Sequence, residues 1–220
     1  MPHVLLLELL TDEAVNGHPQ RAELRQLVAE SWTGRASVDS VGFRMVRAFR
    51  LTTFEAVYGW LTEPCAAADP NFNVYRLRQW EGPLWTLVTN RPEHLLGGGH
   101  SSWEDALLSV VDTTIAAFLV DEDDTLAEKT WGARNTSSIK HPLSYGAPFL
   151  SGMLDMPAKQ LPGASGMPRV QSPTFGASER LAVSPGHEED GYFHMPGGQS
   201  GHPLSPFYRA GHEAWVEGTA

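Results

Sequence analysis

The pattern of apolar residues changes near residue 120, and this change constrains the fold more than any other feature. Before it, apolar residues recur three or four positions apart, as on one face of an α-helix. After it, glycine and proline separate short segments typical of antiparallel strands and turns: "AEKTWGARN", "TSSIKHPLS", "PRVQSP", "RLAVSPG" and "GYFHMPG". The sequence therefore predicts an α+β fold, with a mainly helical segment over residues 1–120 and a mainly β segment with a short C-terminal helix over residues 121–220.

The first segment contains four predicted helices. Helical spacing indicates helices over Pro19–Trp32, over about 38–61 and over Val74–Thr89, and a fourth that begins after Ser101. Pro83 lies inside the third helix and predicts a kink there. An acidic residue three positions after Ser101 is typical of a capping box.

Composition excludes some function classes and leaves others open. A net charge of −10 and the absence of Lys/Arg-rich runs argue against a nucleic-acid-binding surface. The opening "MPHVLLLELLTDEA" is too short to span a membrane and lacks the basic start of a signal peptide, so localisation is not readable. It is typical of the second half of a buried helix, which predicts that the chain is part of a longer polypeptide. Cys65 has no candidate base beside it in the sequence, which predicts a buried, inert thiol.

One stretch near the end, "FHMPGGQSGHPLSPFYRAGHEAW", gathers residues that often carry chemistry. Together with a preceding histidine, it supplies His187, His194, His202 and His212. Their spacings of seven, eight and ten residues do not match the tight ligand pairs of zinc sites. We therefore expect ordinary hydrogen-bonded histidines and no metal.

Three further stretches look like chemical motifs, and each lacks part of the motif. Gly97–Gly99 has no following Lys-Ser/Thr of a phosphate-binding loop, so a flexible link is expected. Asp121–Asp124 lacks the spacing of a calcium loop, so a solvated turn is expected. Ser200 follows Gly198 as in a nucleophile elbow, but His202 stands where the second glycine belongs.

Turn and capping rules account for the stretch around Ser200 better than catalysis does. Pro196 and Gly197 suit the centre of a type II turn, with a positive φ at the glycine. Ser205 and Pro206 suit the N-cap and first position of a helix over Phe207–Val216, and the glycine at position 218 suits its end.

These stretches resemble a known family. "TWGARN", "IKHPLS", "MPRVQSPTFGASERLAVSPG" and "FHMPGGQSGHPLSPFYRAGHEAWVEG" resemble the C-terminal part of the β-chain of the penicillin acylase (penicillin amidase) family, and "SWTGRASVDSVGFRMVRAFR" resembles the helical segment before it. The resemblance covers nearly the whole chain. The residues that carry it are expected to be structural; they are Trp131, Gly132, Asn135, His141, Pro142, Gly197, Gly198, Gln199, Ser200, Gly201, Ser205, Pro206 and Tyr208.

The resemblance implies a fold and a reaction. Members are bacterial, often periplasmic, N-terminal nucleophile hydrolases with an αββα core, and they hydrolyse the amide between an acyl group and an amine. The serine that opens the β-chain is the nucleophile, its own α-amine acts as base, and a backbone N–H and an asparagine side chain stabilise the oxyanion. Penicillins, related β-lactams and acyl-homoserine lactones are the substrates it implies.

The catalytic groups of the family find no counterpart in this sequence. The nucleophilic serine, the oxyanion asparagine and the calcium-binding carboxylates of longer members all precede the matched part, and the chain has no Asn-Asn pair. The prediction is a C-terminal fragment that is inactive alone, holds no cofactor and has the N-terminal portion of the amidase as its partner, with neither a nucleic acid nor a membrane as partner. A scaffold or interaction module of the same fold is the alternative, and a hydrolase using Ser200 or the histidines is a third.

Overall fold

A computed structural model describes residues 1–177 and 179–219. The chain divides into two compact units, a helical unit (Met1–Thr33 and Val41–Lys129) and a mixed unit (Gly34–Ser40 and Thr130–Ala220). The division falls after residue 129 and not near 120, because Leu126 is fully buried in the core of the helical unit.

The helical unit contains seven α-helices among the described residues. They are α1 (Pro2–Leu9), α2 (Asp12–Val15), α3 (Pro19–Ser31), α4 (Val41–Leu61), α5 (Glu63–Ala68), α6 (Glu81–Asn90) and α7 (Trp103–Ala116). The long central helix α4 packs against α1, α3 and α7. Its apolar face is fully or almost fully buried at Met45, Phe49 and Val57, so the core of this unit is a continuous apolar cluster.

The mixed unit combines short helices with one hairpin. It contains α8 (Trp131–Arg134), α9 (Pro142–Gly146), α10 (Ser151–Leu154), β1 (Arg180–Ser184), β2 (His187–His194) and α11 (His212–Glu217). The predicted α+β class is confirmed, with helices first and a two-stranded antiparallel sheet near the C-terminus.

Fewer of the glycine- and proline-punctuated segments form strands than the sequence pattern predicted, so the mainly β expectation for residues 121–220 is too broad. "RLAVSPG" and "GYFHMPG" form the hairpin, whereas "AEKTWGARN" contains α8. "TSSIKHPLS" and "PRVQSP" contribute only single bridges to β structure, Thr136 to Gln160 and Gln171 to Gly176, and the first of these segments also contains the start of α9. Proline lacks the N–H that a ladder needs, and side chains bond the backbone here instead.

The predicted helices α3 and α4 are confirmed, and the prediction for Val74–Thr89 is wrong in its first half. Only a single 3₁₀ turn forms at Val74–Arg76, and α6 begins at Glu81. Pro83 therefore lies in the first turn of α6, where its missing N–H would have no intrahelical acceptor. It marks a helix start and not a kink.

The start of α7 is displaced by one residue from the predicted cap. The hydroxyl of Ser102, not Ser101, accepts the N–H of Asp105 at 3.1 Å. The carboxylate of Asp105 accepts the N–H of Ser101 at 3.0 Å. Asp105 takes the place expected for Glu104, but its carboxylate bonds the N–H of the residue before the cap and not that of the cap itself.

Two expectations about exposed segments of the helical unit need correction. Cys65 is exposed on α5 and not buried. The Gly97–Gly99 link packs against the indole ring of Trp60 and is not simply a flexible link. A Cβ at Gly97 would lie only 2.5 Å from Trp60 Cδ1. Gly98 and Gly99 have φ of 69° and 74°, a backbone conformation that glycine adopts without strain.

The acidic turn at Asp121–Asp124 folds around its last carboxylate. Asp124 accepts the N–H groups of Val120 and Asp121 at 3.1 and 3.0 Å, and Lys129 pairs with it. The backbone hydrogen bond from Asp121, followed by the bond from Lys129, holds the pKa of the Asp124 carboxyl below its ordinary value. Hydrogen bonds within the segment thus explain this acidic run as a turn.

Among residues 1–177 and 179–219, no helix combines the length and the apolar character needed to cross a membrane.

Candidate functional site

The hairpin of β1 and β2 leads the chain into the stretch that drew attention in the sequence. Leu181 pairs with Phe193, and Ser184 pairs with His187 across a tight turn. Gly186 in that turn has a φ of 79°, which a glycine adopts without strain. The hairpin ends at His194, and the chain continues into the segment Gly197–Gly201, which we call the glycine loop.

Close approach of the backbone, and not backbone angle, requires the glycine at position 198. A Cβ at Gly198 would lie 1.6 Å from the carbonyl oxygen of Phe207, and one at Gly197 would lie 2.8 Å from Met156 Cε. Gly197 has no positive φ, so the predicted type II turn with a left-handed glycine is wrong. The Gly198 N–H donates to the Tyr208 carbonyl at 3.0 Å, which ties the loop to the segment after it.

Ser205 and Pro206 form a turn of their own instead of starting the last helix. The Ser205 hydroxyl accepts the N–H of Phe207 at 3.2 Å, and its carbonyl accepts the N–H of Tyr208 at 3.1 Å. Helix α11 begins later, at His212, after Gly211 with a φ of 79°. That left-handed residue cannot lie inside a helix, which explains why the predicted helix over Phe207–Val216 starts late. The predicted end at a left-handed glycine, position 218, is confirmed.

The phenol of Tyr208 anchors this segment. Tyr208 is buried, and its hydroxyl donates to the Leu154 carbonyl at 2.6 Å. The tyrosine therefore joins the end of α10 to the glycine loop.

Within residues 1–177 and 179–219, the Ser200 hydroxyl is hydrogen-bonded to backbone and not to a general base. The hydroxyl accepts the backbone N–H of His202 at 3.2 Å, and the ring Nδ1 of His202 accepts the N–H of Leu204 at 3.2 Å. Both side chains therefore bond the backbone of their own loop. The adjacent Gln199 donates to the sulfur of Met195, and Gly201 is exposed with open space at its Cβ position.

The two buried histidines are hydrogen-bonded to carbonyl groups. His194 Nε2 lies 2.6 Å from the Thr219 oxygen, and His212 Nδ1 lies 2.6 Å from the Pro196 oxygen. A carbonyl only accepts, so each of these nitrogens carries the proton. For these two residues, the expectation of hydrogen-bonded histidines is confirmed at one ring nitrogen each, while His194 Nδ1 and His212 Nε2 are buried without a hydrogen-bond partner among the described residues.

His187 lies apart from these histidines, at the exposed tip of the hairpin. Its ring, Glu189 and Asp190 each offer one ligand atom, and these three atoms lie within 4.8 Å of one another. All three are exposed, and the His187 Nδ1 to Asp190 Oδ2 distance is 3.7 Å. Exposed clusters of acidic side chains are common in solvated turns, so these three residues are not assigned as a metal site.

The segment around Trp131 is held by buried hydrogen bonds to the backbone. The Trp131 indole N–H donates to the Gly163 carbonyl at 2.8 Å. The Gly132 N–H donates to the Val38 carbonyl at 2.7 Å, and a Cβ at Gly132 would lie 2.5 Å from Val38 Cγ1. The glycine thus lets α8 lie against the 34–40 segment of the same unit.

Asn135 organises three loops through its side-chain amide. The residue is 1% exposed, and its Nδ2 donates to the carbonyls of Leu161, Gly163 and Gln171 at 2.8, 3.3 and 3.3 Å. Buried carbonyl groups need partners, so this side chain fixes the relative positions of those loops.

A buried polar network that sequence reasoning missed continues from there to the last helix. Gln171 is fully buried, and its amide donates to the Trp215 carbonyl at 2.9 Å. Arg169 and Arg180 also donate to carbonyls of α11, at Val216 and Trp215. Isolated polar residues in loops carry no periodic signal, so nothing in the sequence marked them.

A serine, a histidine and an aspartate do meet in the mixed unit, at α9. His141 caps this helix, with its Nδ1 accepting the N–H of Leu143 at 3.1 Å, and Pro142 occupies the first helical turn. The Ser144 hydroxyl donates directly to Asp155 at 2.5 Å. This bond, followed by that from the His141 N–H, holds the pKa of the Asp155 carboxyl below its ordinary value. No imidazole lies between serine and carboxylate, so the arrangement is a cap and not a triad.

An open groove of about 710 Å³ lies along the glycine loop. Phe193 and Phe207 line it together with Gly197, Gly198 and Ser200. Its walls are mostly apolar, so it can receive an apolar group. The residues that line it include no Asp, Glu, Lys or Arg to bind a charged group.

The sequence profile of the penicillin amidase family matches residues 2–220. The chain belongs to this family. The penicillin acylase 2 proenzyme of Pseudomonas sp. (strain SE83) is 26% identical over 231 residues, which cover 98% of this chain and 28% of the relative. The amidase-family chain therefore spans less than a third of the length of that relative.

The residues that were expected to carry the resemblance to the penicillin amidase family all lie in the mixed unit, at three places. Trp131, Gly132 and Asn135 lie at α8, His141 and Pro142 at α9, and the remainder in the glycine loop and the turn after it. The buried ones bond the backbone of neighbouring loops. No nucleophile-base pair occurs among them.

Proposed function

We propose that this chain is the C-terminal part of a penicillin-acylase-like amide hydrolase and serves there as scaffold, without catalytic activity of its own. The single observation that carries the proposal is the extent of the match. Almost the whole chain aligns, yet it aligns with only 28% of the proenzyme. A chain that corresponds to part of an enzyme acts together with the remainder.

The geometry of the mixed unit supports a scaffold role. The sequence or the structure offered two serines as nucleophiles, Ser200 and Ser144, and in the described part of the chain the hydroxyl of each is hydrogen-bonded to a group other than an imidazole. The buried side chains, such as Asn135, bond backbone carbonyls and hold loops in place. We infer that residues 1–120 and 121–220 belong to one larger domain of the αββα type, with the N-terminal portion of the amidase as partner.

The proposed reaction is hydrolysis of a linear amide that joins an acyl group to an amine. The side-chain amide of a β-lactam and the amide of an acyl-homoserine lactone are the substrate classes. The groups that perform the chemistry lie in the portion that this chain does not contain, so the chain itself contributes no proton transfer and no nucleophile.

Turnover of a chromogenic phenylacetyl amide tests the proposal. Two samples are compared: the purified chain, and a chimera in which the chain replaces the matching 28% of the Pseudomonas proenzyme. We expect no turnover by the chain alone and turnover by the chimera. Ser200→Ala is the matched control and is expected to leave the chimera active. Turnover by the chain alone that disappears with Ser200→Ala would establish the independent hydrolase instead.

A non-catalytic interaction module of the same fold is a second candidate. The observation that favours it is that each unit has its own buried core, around Phe49 in the helical unit and around Trp215 in the mixed unit. Stable, monomeric solubility of the chain combined with an inactive chimera would favour this module over the amidase fragment.

A further inference from the structure

The hairpin has its apolar face outward, the reverse of the usual arrangement. Leu181 and Phe193 pair across the strands, and they are 68% and 55% exposed. Val183 is 51% exposed as well. The residues that alternate with them, Ala182 and Tyr192, are half-buried. An antiparallel sheet with one solvated face normally turns its apolar side chains inward.

The inward face is fixed, so the exposure of the apolar face is not a consequence of a slipped register. Arg180 donates to the Trp215 carbonyl at 2.7 Å, and its guanidinium lies 5.5 Å from the Trp215 ring. His194, opposite Arg180, is buried and bonded to the Thr219 carbonyl. A shift by one residue would break both contacts, because it would turn every side chain to the other face.

The exposed face continues into the groove beside the glycine loop. Phe193 belongs to both, and Phe207, which is 67% exposed, also lines the groove. We call Leu181, Val183, Phe193 and Phe207 the outer face. Contiguous exposed apolar surface of this kind marks an interaction site more often than single exposed residues do.

The hairpin also lacks further strands in the part of the chain that the structure describes. Apart from the bonds between β1 and β2, no backbone hydrogen bond of the described residues involves 180–194. An isolated two-stranded hairpin is marginally stable in water, and its free edges can pair with another strand.

We propose that the outer face docks the portion of a penicillin amidase chain that this sequence does not cover. This inference rests on the proposed function, and the relative supplies the occupant, since most of its length has no counterpart here. A second copy of this chain fits less well. The chain carries a net charge of −10, and Glu188, Glu189 and Asp190 at the hairpin tip would approach their own copies in a symmetric pair. The docking segment is therefore apolar over the outer face and carries cationic side chains near that tip.

Hydroxyl-radical footprinting with mass spectrometry tests the docking surface directly. Side-chain reactivity at Phe193 and Phe207 is measured in the chain alone and in the chimera with the Pseudomonas proenzyme. We expect a severalfold lower reactivity at both residues in the chimera. Equal reactivity in the two samples would overturn the proposal, as would protection in the chain alone that rises with its concentration, because a second copy would then be the occupant.

Substitutions on the outer face separate docking from folding. The double variant Leu181→Lys, Phe193→Glu should change the unfolding midpoint of the chain alone little, because both side chains are more than half exposed and the two new charges attract each other across the strands. In the chimera the same variant should restore full reactivity at Phe207. Ser184→Lys, also exposed on β1, is the matched control and should change neither sample. A double variant that keeps Phe207 protected would overturn the proposal.

Failure of this inference and failure of the proposed function give different results. An active chimera with an unprotected outer face overturns the docking surface and leaves the function standing. An inactive chimera with a protected outer face supports the docking surface and overturns the function.

Discussion

The two units of this chain are stabilised in different ways. The helical unit buries a continuous apolar cluster around α4, in which Phe49 and Val57 are fully buried. The mixed unit has a small apolar cluster around Trp215 and Leu161. Its loops are joined by buried side chains that bond carbonyl groups, as Asn135 does.

This difference determines how each unit responds to substitution. Apolar burial is non-directional, so a core such as that of the helical unit tolerates volume-conserving changes. A buried donor has a fixed direction and partner, and its removal leaves carbonyl groups without a hydrogen bond. The mixed unit should therefore be sensitive to small changes that the helical unit would accept.

The largest effects are expected at the centre of each core. Trp215→Ala and Phe49→Ala should each lower the free energy of unfolding of their own unit by about 3–5 kcal/mol, because each removes a fully buried aromatic ring. Hydrogen exchange read by residue should show faster exchange in the mixed unit for the first and in the helical unit for the second. Equal acceleration in both units by either variant would contradict the division into two separate cores.

Asn135→Ala should follow, with a cost of about 2–3 kcal/mol to the mixed unit, because the buried Leu161 and Gln171 carbonyls lose their donor. Denaturant unfolding of the whole chain measures the change. Asn90→Ala, at an exposed position at the end of α6, is the control and should change stability by less than about 0.5 kcal/mol. Similar changes in the free energy of unfolding for the two variants would contradict a stabilising polar network around Asn135.

Gly198→Ala should destabilise the mixed unit by about 1–3 kcal/mol, since the new Cβ would meet the Phe207 carbonyl and the backbone must move. Gly201→Ala, three residues later with open space around it, is the matched control. Thermal unfolding of the two variants side by side checks the pair. If both substitutions were neutral, close approach would not be the reason for glycine in this loop.

The smallest effect is expected from acid. The bond from Arg50 holds the pKa of Glu81 in the helical unit below its ordinary value, and the bond from Ser144 does the same for Asp155 in the mixed unit. A depressed pKa stabilises the fold above the unfolded-state pKa, and this contribution disappears as the pH falls through the folded-state value. Both units should lose stability in acid, below the ordinary carboxyl values of 4.5 and 3.8.

Glu81→Gln isolates that contribution. Urea midpoints measured from neutral pH down to about pH 3 should fall less steeply for this variant than for the wild type. Glu104→Gln, an exposed residue in the first turn of α7, should keep the wild-type slope. A wild-type slope for Glu81→Gln would show that the pair with Arg50 contributes nothing measurable.

The helical unit was largely predictable from its sequence, and the mixed unit was not. Repeated apolar spacing located α3 and α4, because a buried helical face must recur every three or four residues. The same rule failed at Val74–Arg76, where the spacing is present and only one turn forms. In the mixed unit, segments with strand-like punctuation formed two strands and several irregular loops, because their partners are side chains distant in sequence.

The candidate site shows the same limit. The sequence favoured a turn over catalysis around Ser200, and the structure shows Ser200 and His202 bonded to the backbone of their own loop. The sequence did not reveal that Gly198 is required by the Phe207 carbonyl, or that Gln171 bonds the Trp215 carbonyl, because both contacts join residues that are not neighbours in sequence.

The sequence by itself determined the α+β class, the family and the long helices, since each depends on local patterns of residues along the chain. Only the tertiary structure decided which glycines are required by close approach, which polar side chains are buried, and that the hairpin turns its apolar face outward. These features arise when distant segments meet, and packing and hydrogen-bond direction, rather than local preference, then select the arrangement.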